Sequence, residues 1–463
     1  MGLFSLVVYG VGDMVGSGIY GTVGNAAAQM GNAVWLAFAV SMVAAVLTGL
    51  SYACIASRYP RAAGAAYVTQ RAFKFSFLSY LIGLMVTASG LTSMATSTNV
   101  FTKTMLGLTT ADPAAAMKDW PWFAIAFSFL GLLTFVNFWG IRQSMWTNIV
   151  CTFVEVGGLL FILAIGMRFW GSVHYLETPS ATFDDDGRML DHGLGVSMVL
   201  AGSVLTFFSF IGFEDMLNVS EEVKEPRTTM PRGIVLALMV ATLLYIGVAV
   251  TVVSVIPHQQ FANPEMSPLA RVTSRAAPWL WPRTFDFVTL FAVSNTVLIN
   301  YIMSSRLLYG MARQGLMPKL LGRIHASRHT PHIAILTLLI VVLILAVSGG
   351  EDAVTQLAQA TTLLLLCSFM VVNASLIVLK RRPGEPAGGF EVPIVVPAFG
   401  ILVSAAMIGA KLYSGIAEFG LTDKGIRAPM IAGIIVAGIT ALYFVIRPSN
   451  LSEDSLAKIE QEK

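Results

Sequence analysis

The sequence predicts an all-helical integral membrane protein with about twelve transmembrane helices. Hydrophobic residues make up 56% of its 463 residues and charged residues only 12%, whereas soluble proteins carry about 25% charged residues. Apolar segments long enough to cross a bilayer recur along the chain. Lys and Arg gather in alternate connections between these segments, as they do in membrane proteins. We therefore expect one transmembrane domain over residues 1–448 and a charged cytoplasmic tail over residues 449–463.

The spans are predicted from the apolar runs and from the polar residues that end them. A first span covers Leu3–Ala28. The others are Val34–Ser57, Phe75–Met105, Trp122–Ile141, Trp146–Trp170, Val196–Val219, Ile234–Ile256, Phe285–Ala312, Ile333–Val347, Ala353–Leu379, Val395–Tyr413 and Pro429–Ile446. The semi-polar stretch 57–73 is expected to lie at the membrane interface or to re-enter the membrane.

The basic connections predict the orientation. With the N-terminus inside, the Lys and Arg residues at 58–74, 142, 224–232, 306–328 and 380–382 face the cytoplasm. The opposite side receives fewer, and its longest connection carries an acidic run at 184–186. We expect a multi-pass protein of the cell membrane with both termini in the cytoplasm.

The first span contains Gly16-Ser17-Gly18, which continues a helix poorly. Backbone groups freed in lipid cost several kcal/mol unless protein, water or a ligand satisfies them. The half-helix after the interruption begins with N–H groups suited to a carboxylate, and the half before it ends with carbonyls suited to an amine. Alternatively, Gly12 and Gly16 form a small-xxx-small pair that lets a neighbouring helix pack closely.

The sixth span contains a glycine and two acids, Gly212, Glu214 and Asp215. Charged residues at this depth cost roughly 2.5–3.5 kcal/mol each and face a cavity or a partner. The first and sixth spans would be corresponding members of two five-helix halves. Such paired interruptions are typical of inverted-repeat transporters with a binding site at the midplane.

Five segments resemble motifs of the amino acid–polyamine–organocation (APC) permease superfamily, in the family's order. They are residues 16–19, 208–214, 221–234, 305–318 and 330–332. The likeness is greatest to bacterial cationic-amino-acid-transporter-like members, and it extends to the arginine/agmatine and putrescine exchangers. The resemblance implies a LeuT-type core of two repeats, about 3–171 and 194–382, followed by two further helices at 393–447.

The resemblance also implies alternating access, an amino acid or amine substrate and a set of binding residues. The N–H groups of Ser17, Gly18 and Ile19 would bind the substrate carboxylate. Gly16, the first residue of the same motif, belongs to this carboxylate-binding segment. The carbonyls of Met14 and Ile211 would bind the amine. Phe208 matches the aromatic residue that closes over the substrate, and Glu214 matches an acidic position of the family.

Three positions depart from the family pattern. Glu155 stands where many relatives have Lys, Ser89 where cationic-amino-acid permeases tend to have Glu, and Asp13 where relatives have a small or amide residue. The core thus holds Asp13, Glu155 and Glu214 without a clear intramembrane cation. Because like charges repel in a low dielectric, either some of these acids are protonated or a cation lies among them.

Two hypotheses follow from these acids, each with a structural alternative. In the first, Glu155 or Glu214 exchanges a proton during transport. In the second, Asp13 and Glu214 bind an amine of a diamine, polyamine or basic amino acid. Sodium coupling stays open, with Ser294 and Asn295 as oxygen ligands together with Thr296 and Glu155. The alternative for Asp13 and Glu155 is a protonated hydrogen bond to a neighbouring helix.

Other classes of protein are less well supported. The histidines fall in connections or at membrane edges and form no HExxH motif, so an enzyme is not expected. No selectivity filter of a channel and no nucleotide-binding loop is visible, and the basic connections indicate topology rather than nucleic-acid binding. Cys54, Cys151 and Cys367 are predicted to be buried small hydrophobes. We expect no cofactor or metal beyond a coupling proton or Na⁺; an ancillary subunit is left open.

Overall fold

The computed structural model describes residues 1–59, 64–110, 119–184, 189–261, 267–326, 328, 330–348, 353–419 and 423–446. The predicted tail, 449–463, and most of the acidic run at 184–186 lie outside the described residues. Within them the regular secondary structure is helical apart from one small hairpin. The α-helices are α1 (Leu3–Met14), α2 (Ser17–Met30), α3 (Val34–Arg58), α4 (Gly64–Phe73), α5 (Ser76–Thr109), α6 (Trp120–Trp139), α7 (Ile141–Gly166), α8 (Val196–Phe207), α9 (Pro226–Val255), α10 (Pro268–Ala276), α11 (Thr284–Arg313), α12 (His332–Ser348), α13 (Ala353–Arg381), α14 (Val395–Phe419) and α15 (Asp423–Ile446).

The helices have the length and composition of a multi-pass membrane protein. Among the described residues, ten segments are apolar and long enough to cross a bilayer, and a shorter apolar helix covers His332–Val347. The first of the ten, Leu3–Arg58, includes α1, α2 and α3. A helix satisfies its own backbone hydrogen bonds, which is why such segments are helical in lipid. This confirms the predicted helical membrane architecture.

Helix burial separates a central group from a peripheral one. The most apolar window of α5 is 83% buried, and α5 packs against α4, α6, α11, α12, α13 and α15. The corresponding window of α15 is only 11% buried. A helix that is apolar on all sides and covered by protein belongs to the core. An apolar helix whose surface is not covered by protein faces lipid. Residues 11–20 and 202–210, at the two interruptions, are buried, so protein can satisfy the freed backbone groups there.

A two-stranded antiparallel hairpin, β1 (Thr182–Phe183) and β2 (Met189–Asp191), lies in the connection between α7 and α8. The sequence analysis did not predict it. The same connection covers the turn between α2 and α3. There the Asn32 N–H donates to the Glu177 carbonyl oxygen (2.9 Å), and Trp35 Nε1 donates to the Tyr175 carbonyl oxygen (2.9 Å). These hydrogen bonds hold the connection to the turn after α2 and to the start of α3.

On the opposite side of the molecule, the connection between α13 and α14 carries two acids that bind basic residues of other helices. Glu391 pairs with Arg58 (2.7 Å) and Lys380, and Glu385 pairs with Arg71 (2.8 Å) and Arg382 (3.5 Å). We call Glu385, Glu391 and these four cations the clasp. The clasp joins the end of α3, α4 and the end of α13, where predicted cytoplasmic basic residues meet.

The N-terminus lies on the side of the clasp. The backbone N–H of Lys224 donates to the Met1 carbonyl oxygen (2.9 Å), and Ser57 Oγ donates to the Arg227 carbonyl oxygen (3.0 Å). The beginning of α1, the end of α3 and the start of α9 are therefore neighbours. The semi-polar stretch before α5 forms the short helix α4 on this side, and most of its side chains are buried.

The cysteine prediction is correct for two positions and wrong for the third. Cys54 and Cys151 are buried, whereas Cys367 is exposed on the surface of α13. A membrane helix can be apolar on both its protein-facing and its lipid-facing side. Hydropathy alone therefore did not reveal which side of α13 carries the thiol.

Candidate functional site

The first interruption lies between α1 and α2, at Val15 and Gly16. Helix α1 ends at Met14, and α2 begins at Ser17. The Gly16 N–H donates to the Met14 carbonyl oxygen (2.9 Å), so the chain makes a tight turn before it resumes the helix. The C-terminal end of one helix and the N-terminal end of the next thus lie side by side in the protein interior. This is the arrangement that the sequence predicted for the first span.

Glycines around the first interruption also let other helices approach. A Cβ on Gly12 would lie 1.9 Å from Thr152 Oγ1, and a Cβ on Gly16 would lie 1.8 Å from Thr296 Oγ1. A Cβ on Gly18 would lie 2.4 Å from the Cα of Ser209. The glycines therefore permit close packing, as the second interpretation predicted, and Gly16 lies at the interruption itself.

The second interruption follows α8, which ends at Phe207. A single 3₁₀ turn, Phe208–Phe210, precedes the extended residue Ile211, and Gly212 has a φ of +127°. A 3₁₀ helix, Asp215–Glu222, then leads toward α9. A side chain at Gly212 would be strained by this φ and would also touch Asp13, since a Cβ there would lie 2.9 Å from Asp13 Cγ. The two interruptions therefore face each other across Gly18–Ser209 and Asp13–Gly212.

A small cavity, the central cavity, lies where the interruptions meet. It encloses about 10 Å³, room for roughly one water molecule. Its walls come from both interruptions and from helices α5 and α11. They are formed by Asp13, Met14, Ser17, Gly18, Ser93, Phe208, Ile211, Thr296 and Asn300. In this conformation the cavity is smaller than an amino acid, so a substrate of that size requires it to widen.

Most of the predicted binding residues line this cavity, and three do not. Met14, Ser17, Gly18, Phe208 and Ile211 belong to its wall. Gly16 and Ile19 are buried directly behind the wall. Glu214 faces a second cavity on the other side of Gly212. The structure thus separates Glu214 from the residues with which the sequence analysis grouped it, because Gly212 turns the chain between them.

The N–H group of Ser17, predicted to be open to a carboxylate, already has an acceptor. It donates to Thr296 Oγ1 at 2.9 Å. The hydroxyl of Ser17 itself, in contrast, is buried without a hydrogen-bond partner. A carboxylate can therefore bind the Ser17 N–H only if it displaces the hydroxyl of Thr296.

Sequence reasoning missed Ser93 and Asn300 as wall residues. Ser93 lies on α5 and Asn300 on α11, far in sequence from either interruption. The side chain of Asn300 donates to the Thr296 carbonyl oxygen (2.9 Å), which fixes its orientation along α11. Hydroxyl and amide residues are frequent in helix packing, so neither residue carries a local signal that could have identified it.

Four acids lie around the interruptions: Asp13, Glu155, Glu214 and Asp215. Each side chain is no more than 4% exposed. Both carboxylate oxygens of Glu155, Oδ2 of Asp13 and Oδ1 of Asp215 have no hydrogen-bond partner. Glu214 Oε2 accepts the Gly212 N–H (3.0 Å). Among the described residues none of the four forms a salt bridge. This region therefore contains carboxyl groups that no cation pairs with.

The candidate ion ligands near Glu155 already have protein partners. Ser294 Oγ donates to the Leu290 carbonyl oxygen (2.6 Å). Asn295 Nδ2 donates to the Gly12 carbonyl oxygen (3.2 Å), and Asn295 Oδ1 accepts from Asn148 (3.2 Å). Asn295 therefore joins α11 to α1 and α7. No group of three or more His, Cys, Asp or Glu side chains suited to a metal ion occurs in the described part of the chain.

Comparison with known proteins identifies the family. The model of the amino acid permease family matches residues 1–444, almost the whole chain. The chain belongs to this family. Both interruptions and the central cavity lie inside the matched region, and the predicted APC resemblance is confirmed. As a permease, the protein is a transporter and not an enzyme.

Individual relatives of this permease are similar at modest identity. The branched-chain amino acid permease BcaP of Bacillus subtilis is 26% identical over 88% of this chain and 87% of its own length. The methylthioribose transporter of the same species is 26% identical over 85% and 83%. The mouse cationic amino acid transporter 4 is 31% identical over 82% of this chain, and the match spans only 60% of that longer protein. These names include neutral, cationic and sugar-derived solutes, so similarity alone selects no substrate.

Proposed function

We propose that this permease is a secondary active transporter of amino acids or related amines across the cytoplasmic membrane. It works by alternating access, as a proton-coupled symporter or as an exchanger, with both termini in the cytoplasm. The observation that carries the proposal is the central cavity, in which two interrupted helices meet. Two buried polar atoms without a partner, Asp13 Oδ2 and Ser17 Oγ, belong to residues that line it. A ligand with an amine and a carboxylate would complement both.

The architecture proposed for this function is a LeuT-type fold. Its repeats are residues 3–171 and 194–382, with two further helices at 393–447 in a single domain that ends near residue 448. Support comes from the position of the interruptions, one in the first membrane span and one in the sixth. Helix dipoles support the direction of binding, because the end of α1 carries partial negative charge and the start of α2 carries partial positive charge. Amine and carboxylate would therefore lie toward α1 and α2, respectively.

Proton coupling is the mechanism that we favour. An unpaired ionised carboxylate is costly in a dry interior. Among the four acids around the interruptions, Glu155 is the one in which both carboxylate oxygens lack a hydrogen-bond partner. A proton neutralises such a group without any rearrangement. We expect Glu155→Gln or Glu214→Gln to make uptake independent of pH while substrate binding is kept. Proton-driven accumulation that is unchanged in Glu155→Gln would remove Glu155 as the coupling group.

Sodium coupling is the second candidate, because Glu155 offers an anionic ligand near Asn295. It is less well supported, since Ser294 and Asn295 already hold protein partners. The two coupling ions are distinguished by uptake into liposomes that contain the purified chain. Labelled leucine, lysine, arginine and putrescine are offered under a proton gradient, a sodium gradient or neither. Saturable uptake of at least one of them supports the proposal, and no uptake of any of them by the folded chain contradicts it.

In cationic substrates, Asp13 is proposed to bind the second amine, the one that a diamine, polyamine or basic amino acid carries in addition to the amine bound by backbone carbonyls. It lines the central cavity next to Met14 and Ile211, whose carbonyls are the other proposed amine ligands. Asp13→Asn keeps the shape and removes the charge, so cationic substrates should lose roughly tenfold in affinity, the value of one charge-assisted hydrogen bond. Neutral amino acids should lose less. If a thermal-shift panel finds only neutral amino acids as ligands, selection of cationic substrates by Asp13 is refuted.

A further inference from the structure

A second cavity lies on the other side of Gly212 from the central cavity. It also encloses about 10 Å³, room for roughly one water molecule. Its polar wall is formed by Tyr52 of α3 and by Glu214, Asp215 and Asn218 around the second interruption. None of the functions considered above uses Tyr52, Asp215 or Asn218.

Two polar groups of this wall have no protein partner. The hydroxyl of Tyr52 and Oδ1 of Asp215 are buried without a hydrogen bond, and their side chains are 1% and 2% exposed. Leaving a buried polar group unsatisfied costs about 1–3 kcal/mol. A polar cavity of water size with several such groups is the kind of site in which proteins hold an ordered water.

The rest of the wall carries no charge. Helices α4, α5 and α11 contribute only glycine and apolar residues, including Ala66, Val86 and Leu307. The titratable groups that face the cavity are therefore Tyr52, Glu214 and Asp215. A charge on either acid can be balanced here by a proton but not by a neighbouring Lys or Arg.

Gly212 is next to one acid of each cavity. Its N–H donates to Glu214 Oε2 (3.0 Å), and a Cβ in its place would lie 2.9 Å from Asp13 Cγ. Asp13 lines the central cavity and Glu214 the second cavity. The carboxyl groups of Asp13 and Glu214 are thus both next to Gly212.

The second cavity lies toward the side of the molecule that holds the clasp. Its outer wall includes Gly64, Ala65 and Ala66, the first turn of α4. The last turn of α4 carries Arg71, which pairs with Glu385 of the clasp (2.8 Å). The first turn of α4 therefore forms part of the wall of the second cavity, and its last turn is held by the clasp.

We propose that the second cavity is a proton port, in which a water bound by Tyr52 and Asp215 carries a proton between Glu214 and the side of α4. The proposal rests on the transport function above. Protonated Glu214 gives its proton to the water, the resulting hydronium gives a proton to the Asp215 carboxylate, and the water is restored. Tyr52 is a positioning residue that orients the water. Asp215 then releases its proton to bulk water when the first turn of α4 moves away, while the last turn stays bound to Glu385 of the clasp.

The test uses the full chain in liposomes that contain a pH-sensitive dye. Uptake of a labelled mixture of leucine, lysine, arginine and putrescine is measured together with the proton influx that accompanies it. Counterflow at equal pH, which needs no net proton movement, is measured separately. We expect Asp215→Asn and Tyr52→Phe each to lower proton influx about tenfold and to flatten the pH profile, with counterflow within about twofold of the unchanged chain.

Tyr80→Phe is the matched control for Tyr52→Phe, because the Tyr80 hydroxyl is also buried without a partner but lies outside this cavity. It should leave proton influx unchanged. The proposal is overturned if both port variants keep their proton influx, or if both lose counterflow as well, which indicates a structural role. If uptake depends on a sodium gradient and never on a proton gradient, the proton port is overturned but the transport function is still supported. Absence of any uptake by the unchanged chain overturns both.

Discussion

The acids around the two interruptions and the acids of the clasp are the same kinds of residue in opposite surroundings. Asp13, Glu155 and Asp215 each have at least one buried oxygen without a partner. Glu385 and Glu391 are each held by two cations. The difference indicates two roles: paired acids fasten segments together, whereas unpaired acids cost stability and are kept where a proton or a substrate amine can meet them.

Electrostatics of the clasp agree with a fastening role. Burial raises the pKa of Glu391, but hydrogen bonds from Arg58 and Lys380 outweigh this effect and lower the pKa to about 2. The pKa of Glu385 is also lowered, because hydrogen bonds from Tyr59 and Arg71 outweigh its burial. Both acids are therefore ionised at neutral pH and stay bound to their cations.

The largest effect is expected from Gly18→Ala, which tests how closely the interruptions must approach. The new Cβ would lie 2.4 Å from the Cα of Ser209, and backbone cannot yield as a side chain can. We expect uptake into liposomes to fall at least about 100-fold, the rate equivalent of 2–3 kcal/mol of overpacking. Gly157→Ala is the control, since the Cβ it adds has no atom within 4 Å apart from its chain neighbours and the backbone of its own helix. Normal uptake by Gly18→Ala would show that the interruptions need not touch.

Thr296→Val should have an intermediate effect on affinity. It removes the acceptor of the Ser17 N–H, so a substrate carboxylate no longer has to displace a hydroxyl. One hydrogen bond of about 1 kcal/mol corresponds to a KM about fivefold lower. The control is Thr337→Val, whose exposed hydroxyl donates to the Ile333 carbonyl oxygen (2.9 Å) on the surface of α12. An unchanged or higher KM in Thr296→Val would argue against Ser17 as a carboxylate ligand.

Glu391→Gln should weaken the clasp by a small amount. The side chain of Glu391 is 35% exposed, and such pairs contribute about 0–1 kcal/mol, so the melting temperature should fall by about 1–2 °C at pH 7. A carboxylate with a lowered pKa stabilises the fold above its unfolded value of 4.5 and loses this effect as the pH falls toward about 2. The difference in melting temperature between Glu391→Gln and the unchanged chain should therefore shrink as the pH falls from 4.5 toward about 2. Glu225→Gln, at an exposed acid before α9, is the control.

Glu155→Gln should have the smallest effect on stability. Neither oxygen of Glu155 has a partner, so replacement by a neutral amide removes no hydrogen bond and no ion pair. We expect the melting temperature in detergent to stay within about 1 °C of the unchanged chain or to rise. A fall larger than that of Glu391→Gln would mean that Glu155 is structurally bound and would remove the contrast between the two regions.

The positions of the spans and of both interruptions follow from local sequence. Apolar segments of membrane length must be helical in lipid, and glycines beside Ser17 or before Glu214 weaken a helix wherever the segment folds. These statements need no knowledge of neighbouring helices. The helical membrane architecture and the presence of two interrupted helices were therefore predictable, and the small β1–β2 hairpin, in a polar connection, was not.

Only the tertiary structure decided what surrounds the interruptions. Thr296 binds the Ser17 N–H across 279 positions of sequence, and Gly212 divides Asp13 from Glu214 into two cavities. The partners of Glu385 and Glu391 on α3 and α4 come from equally distant positions. Such contacts depend on how helices pack, and in membranes that packing uses the same small and hydroxyl residues throughout the chain. Sequence patterns can therefore mark a freed backbone group without revealing which side chain completes it.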